Sequence, residues 1–498
     1  MNEFDSGTPF EDFLRSILGE EAAAEAARAL QAQGFDPANL PPEFSDPARM
    51  RAAMGQFQFL MNTTAGPVNW RMVEDSAKQA AYASGDPSPT ATEAEAARQA
   101  MTVADLWLDA VTDFASGPVT RDVWSKVAWV EHTIPTWKRI CEPVALNVSR
   151  ALSAALSEQF GSEGLGDAAS LPEGMAAMLG KTQEMMPRLS AMFSAQIARA
   201  LAALAGESFG TFDTGIPLSD TSHAALLPHN VAQFSEGLDI PFDEVRQFLA
   251  VREAAHRRLF ASSCINLCES RHPLAWLEGD LVRAVERYAS QIAIDTEAIS
   301  EAARSVDPSD PHSVESALNG GVFALSTTPD QRRALTRLET MLALIEGWVE
   351  VVTARATLPY LPHADALREM MRRRRASGGP AEEILGTLMG LKMRPRQARG
   401  AASIFALVEA DGGRDAREAL WSHPDMVPSE TELATPDTFL TLRRAAAEED
   451  ADIDAALNSL LDGTLGWADG LEPGDEASAG SDDEPEDPEA PNPQDETN

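Results

Sequence analysis

PFDEVRQFLAVREAAHRRLF, residues 241–260, is the stretch whose reading decides the fold. Pro241 suits a first helical position, where its missing N–H costs nothing, and Asp243 and Glu244 put negative charge at the positive end of the helix dipole. Phe242, Val245, Leu249, Arg252, His256 and Leu259 then recur at alternating spacings of three and four, the period of one helix face. Arg252 and His256 therefore fall on the apolar stripe and are predicted to point inward. A buried guanidinium keeps its proton and needs a carboxylate, so an acid elsewhere in the chain has to meet Arg252. The same helix carries Glu253-x-x-His256, the second half of an HExxH motif, in which two histidines one turn apart ligate zinc and the glutamate acts as general base. The place of the first histidine is taken by Arg252, which cannot ligate a cation and repels one.

A second helical stretch offers the acid. In MLALIEGWVEVV, residues 341–352, the only charged side chains are Glu346 and Glu350, one turn apart on a helix that is apolar nearly all round. Such a helix is buried, and two carboxylates on it must meet a metal, an arginine or a proton. The spacing alone leaves all three open.

Outward from these helices, the chain from Pro67 reads as long helical periods separated by short Gly, Pro and Asp breaks. The prediction is a mainly α protein, with any sheet small and near Gly206–Asn230, the best non-helical stretch. Residues 1–65 read as a loosely attached helical segment broken by PANLPPEFSDP, and residues 66–445 as one large helical body. Residues 446–498 read as an acidic, disordered tail, because no large apolar side chain follows Glu472 to offset the entropy of ordering.

The 498 residues carry 40 Lys and Arg against 78 Asp and Glu, a net charge of −38, of which the residues after Arg444 supply −18. This balance argues against nucleic acid and against anionic membrane surfaces as partners. The acidic opening segment lacks the features of an export signal, no apolar run is long enough to span a bilayer, and three cysteines suit a reducing compartment, so a cytoplasmic location is expected.

Other motifs read as chance or as structure. GMAAMLGKT at 174–182 is one residue too long for a phosphate loop, and no GxGxxG follows a strand, so neither nucleotide nor flavin is indicated. Gly206-Glu207-Ser208-Phe209-Gly210 follows a helix, where a nucleophile elbow requires a strand. Arg372–Arg375 reads as cations favoured at a helix C-terminus. Cys264, Cys268 and His272 have the spacing of three soft ligands on one helix, but Pro273 follows at once and buried cysteines are common.

The chain resembles the zincin-like hydrolases, also labelled zinc-dependent metalloproteases, which have a sister branch labelled coenzyme-biosynthesis-associated. The resemblance runs through GPVNW (66–70), ADLWLD (104–109), WVEHTIPTW (129–137), SEGLDIPFDEVRQFLAVREAAHRRLF (235–260), IEGWVEVV (345–352), LREMMRRRRASGGPAEEILGTLMGL (367–391) and ALWSHPDMVPS (419–429). It implies that Glu253 matches the general base, His256 the second zinc histidine and Glu346 the glutamate ligand of the later helix. Arg252 matches the first zinc histidine, as in a branch reading REAAH.

Two functions follow from these residues. In the first, the protein is a degenerate zincin: Arg252 bridges Glu346 or Glu350 and takes over the electrostatic role of the metal, and the retained activity is binding of a peptide or protein partner. In the alternative, it is a working zinc metallohydrolase in which His256, Glu346 and a third ligand such as Glu350 hold zinc, and Glu253 deprotonates its water. In either case Gly206–Asn230, which precedes the REAAH helix, is the candidate substrate wall.

Overall fold

A computed structural model of the chain describes residues 66–159, 190–261 apart from Met192 and Thr221, 329–376 and 395–461. Elements are numbered within these residues. Helix α1, Trp70–Ala83, starts where the Asn69 side chain accepts from the Met72 N–H at 3.1 Å. Helix α2, Ala91–Asp109, starts with a reciprocal capping box between Thr90 and Glu93. After strand β1, Thr120–Val123, comes the long helix α3, Lys126–Gln159, which packs on α1 and buries Trp129 and Trp137. Residues 190–207 form α4. Strand β2, His223–Leu226, leads into the short α5, Pro228–Ser235, and then into α6, Phe242–Ala261.

Helix α7, Pro329–Thr357, turns through residues 358–363 into α8, Ala364–Ala376. Helix α9, Pro395–Ala419, and the short α10, Glu430–Ala434, complete this part of the chain. Helix α6 lies at its centre, packed against α2, α7, α5, α8 and β2. One end of α6 shares an apolar cluster with its neighbours, in which Val245, Phe248 and Leu249 meet Phe209, Val231, Leu361, Leu367 and Met371. Helices α7 and α9 cross closely at Gly347, where a Cβ would stand 2.5 Å from that of Ala401. Glycine there lets the helix bearing Glu346 approach its neighbour at backbone distance.

The fold is mainly α, as read from the sequence. The sheet has two parallel strands, β1 and β2, with Thr120 opposite His223 and Val123 opposite Leu226. Strand β2 falls inside the anticipated Gly206–Asn230 segment; β1 was not anticipated, since TRDV is too short and too polar to show a strand pattern.

The chain divides into two compact units, residues 1–437 and 438–498. The second contains α11, Phe439–Leu461, so residues 446–461, assigned above to a disordered tail, are helical. Their Ala-rich text has high helix propensity, which the charge count obscured. Residues 1–65, Cys264, Cys268, His272, the 174–182 motif and the chain beyond 461 lie outside the described residues.

Candidate functional site

Helix α6 is buried on every side from Phe248 to Ala261, so Arg252, Glu253 and His256 are all removed from water although they point in different directions. Phe242, placed on the apolar stripe by its spacing, is instead 38% exposed at the start of the helix. Arg252 Nη2 donates to Glu346 Oε1 on α7 at 2.5 Å. The second carboxylate oxygen, Oε2, forms an ion pair with Arg375 of α8 and lies 3.3 Å from His256 Nε2. One carboxylate thus faces two guanidiniums and an imidazole.

His256 Nδ1 is 2.9 Å from the backbone carbonyl of Arg252. A carbonyl only accepts, so Nδ1 carries the proton and Nε2 presents its lone pair toward Glu346. Burial, with the nearby guanidiniums of Arg252 and Arg375, pushes His256 down to about 3. The imidazole is therefore neutral at physiological pH.

Glu350 does not join this group. It pairs with Arg372 Nε at 2.8 Å, one turn along the α7–α8 hairpin. The two helices run antiparallel and form a ladder, Glu350 with Arg372 and Glu346 with Arg375. Arg374 donates to the Glu207 carbonyl at 2.6 Å and lies 4.1 Å over the Phe209 ring, while Arg373 pairs with Glu369 at the surface. Arg373, Arg374 and Arg375 lie in the last turn of α8, as read from the sequence, and Arg372, Arg374 and Arg375 also reach across to other elements. The available signal was their spacing, since arginines three apart can face glutamates four apart once a short turn brings two helices antiparallel.

Glu253 is held by the loop that precedes β2. Its Oε1 accepts from the Thr211 N–H and the Thr211 hydroxyl, both at 2.7 Å, and its Oε2 accepts from the Phe212 N–H at 3.2 Å. A Cβ at Gly210 would stand 2.3 Å from Oε2, so the glycine allows backbone to close over the carboxylate. Burial raises the Glu253 pKa to about 7 against the lowering effect of these hydrogen bonds. The segment expected to form a substrate wall thus rests directly on the glutamate, tied further by Trp129 Nε1 donating to the Gly210 carbonyl at 2.9 Å. Such an arrangement anchors a loop; it leaves little of the carboxylate free to take a proton from water.

An REAAH helix is thus crossed by a helix with an inward glutamate, in a helical body with a small sheet beside it. A family model described as zincin-like metallopeptidase matches residues 68–440, and the chain belongs to that family. A crystal structure of a provisionally described hydrolase with a novel fold from Chloroflexus aurantiacus aligns with TM-score 0.52 at 15% identity, covering 76% of this chain and 99% of that one. That likeness is one of fold. No curated protein matches the chain.

The family implies zinc, and the residues at this centre do not fit it. A zinc site needs three or more protein donors, and Arg252 supplies none. Among the described residues, no group of three or more His, Cys, Asp and Glu is arranged to hold a metal. The two oxygens of Glu346 are engaged by guanidiniums, whose charge opposes that of a dication. Among the described residues, no helix is long and apolar enough to cross a membrane.

Proposed function

We propose that this protein is a degenerate zincin: a member of the family that has given up metal-dependent hydrolysis and binds a peptide or protein partner in the cleft beside its former zinc centre. The observation that carries this reading is the 2.5 Å contact of Arg252 with Glu346, made from the position of a zinc histidine. Two further features support it. Arg375 occupies the other oxygen of Glu346, and the expected general base Glu253 is spent on holding the 210–212 backbone. The positive charge that a zincin draws from zinc is here built into the chain, and the cleft between α7, α8 and α9 remains open for a ligand.

The test is metal content, measured by inductively coupled plasma mass spectrometry on folded protein purified without a metal-affinity tag, together with hydrolysis of a mixed peptide library. The expected result is zinc far below one per chain and no cleavage. Near-stoichiometric zinc that disappears in His256→Ala and Glu346→Ala, with cleavage abolished by Glu253→Gln, would show a working metallohydrolase instead.

A further inference from the structure

In a chain of net charge −38, the described lining of the cleft beside Glu346 holds more arginines than carboxylates, six against three, although Arg368 is paired with Asp365 and Arg373 with Glu369. At its floor the imbalance is structural: Glu346 is one carboxylate shared by Arg252 and Arg375, and His256, with its proton on Nδ1, adds no negative charge. Asp213 also acts electrostatically on both guanidiniums, without a direct ion pair to either among the described contacts. Arg372 is matched by Glu350, but Arg399, at the start of α9, is exposed at the rim. A buried guanidinium without its own carboxylate is costly, and an anion entering from solvent would relieve that cost.

The enclosed part of the cleft is small, about 160 Å³, so it seats one compact group of a bound peptide while the rest of that peptide lies outside it. The negative field of the whole chain also disfavours extended polyanions, whereas a single negative group is drawn to the local positive region. Guanidiniums facing one opening suit the planar, two-pronged geometry of a carboxylate. From the shared Glu346 and the arginine excess around it, we infer that this cleft is a carboxylate-binding site that seats one acidic group of the peptide partner, either a side chain or the C-terminus. The inference rests on the peptide-binding reading above and adds the chemistry that is recognised.

The experiment is fluorescence anisotropy on the full chain with labelled Ala-rich pentapeptides. One has blocked ends and a single central glutamate, one has a free C-terminal carboxylate and no acidic side chain, and one is blocked with no acid. Inorganic phosphate is titrated separately by calorimetry. Binding of either carboxylate peptide about tenfold tighter than the fully blocked one, weakened by salt, is expected, and which of the two binds identifies the source of the carboxylate. Arg399→Gln, a change at an exposed rim position, should weaken the preferred peptide several-fold. Arg375→Gln should weaken it more, with circular dichroism confirming that the variant is folded. Equal binding of the blocked peptide would overturn the inference while leaving peptide binding intact. Phosphate binding without any peptide binding, or no binding of any probe, would overturn it outright.

Discussion

Arg252 reaches Glu346 across 2.5 Å, joining the REAAH helix to the buried helix α7. The contact is reinforced by Arg375 from a third helix, so α6, α7 and α8 converge on one carboxylate. Removing Glu346 takes the shared partner from two guanidiniums, whereas removing either arginine leaves the carboxylate paired with the other, and that asymmetry makes the site testable.

Glu346→Gln should destabilise the protein by about 3–5 kcal/mol, because the buried Arg252 and the half-buried Arg375 lose the carboxylate they both contact. Urea denaturation measures the loss. Pairing the change with Arg375→Met should recover part of it, since the double variant removes a charge along with its partner. Strictly additive losses would mean that the two residues do not interact.

His256 gives the stability a defined pH dependence. The folded imidazole titrates at about 3 and the unfolded one at about 6.5, so the unfolded chain takes up a proton first as pH falls. Its contribution is complete above about pH 6.5 and is lost toward pH 3, at roughly 1.4 kcal/mol per pH unit. Denaturation midpoints of wild type and His256→Gln, compared between pH 7 and pH 4, should converge as the pH is lowered. Parallel curves would contradict the burial of a neutral imidazole.

Glu253 works in the opposite sense. Its carboxyl is raised from 4.5 to about 7, so as pH rises through that interval the unfolded chain releases its proton while the folded chain retains it. Stability falls over the window and levels off above it. Glu253→Gln should remove this fall, read as a flatter profile between about pH 5 and pH 7. Gly210→Ala probes the same anchor sterically. With its Cβ 2.3 Å from Glu253 Oε2 and 2.7 Å from the Ala225 carbonyl, it should cost about 1–3 kcal/mol.

Arg252→His combined with Arg375→Gln recreates a histidine, histidine and glutamate set around Glu346 and clears the opposing charges. Zinc measured on this variant should rise toward one per chain, against an expected content far below one in wild type. Continued absence of zinc would show that the backbone at this centre has drifted out of ligating geometry.

Much of this arrangement was legible from helix periodicity. The spacing of Phe242 to Leu259 put Arg252 and His256 inward, and the isolated Glu346 in an apolar helix demanded a counter-charge. What stayed hidden depended on tertiary contact. Nothing local in Thr211-Phe212 announces two backbone N–H groups aimed at Glu253, because a loop's hydrogen-bond partners are set by the elements it packs against. The arginines at 372–375 read as helix-end cations, because their spacing matches that of Glu346 and Glu350 only once the turn at 358–363 folds α8 back over α7. Glu350, offered by the sequence as a third ligand or an alternative partner of Arg252, lies one rung further along the ladder, paired with Arg372.

A counter-charge carried on the polypeptide obeys no mass action. A protein stabilised by a bound ion gains stability with the logarithm of that ion's free concentration and loses it to any competing chelator. Guanidiniums that are part of the chain are present at fixed stoichiometry from the moment of synthesis, so under the proposed function the three helices that meet at Glu346 close without a metal supply.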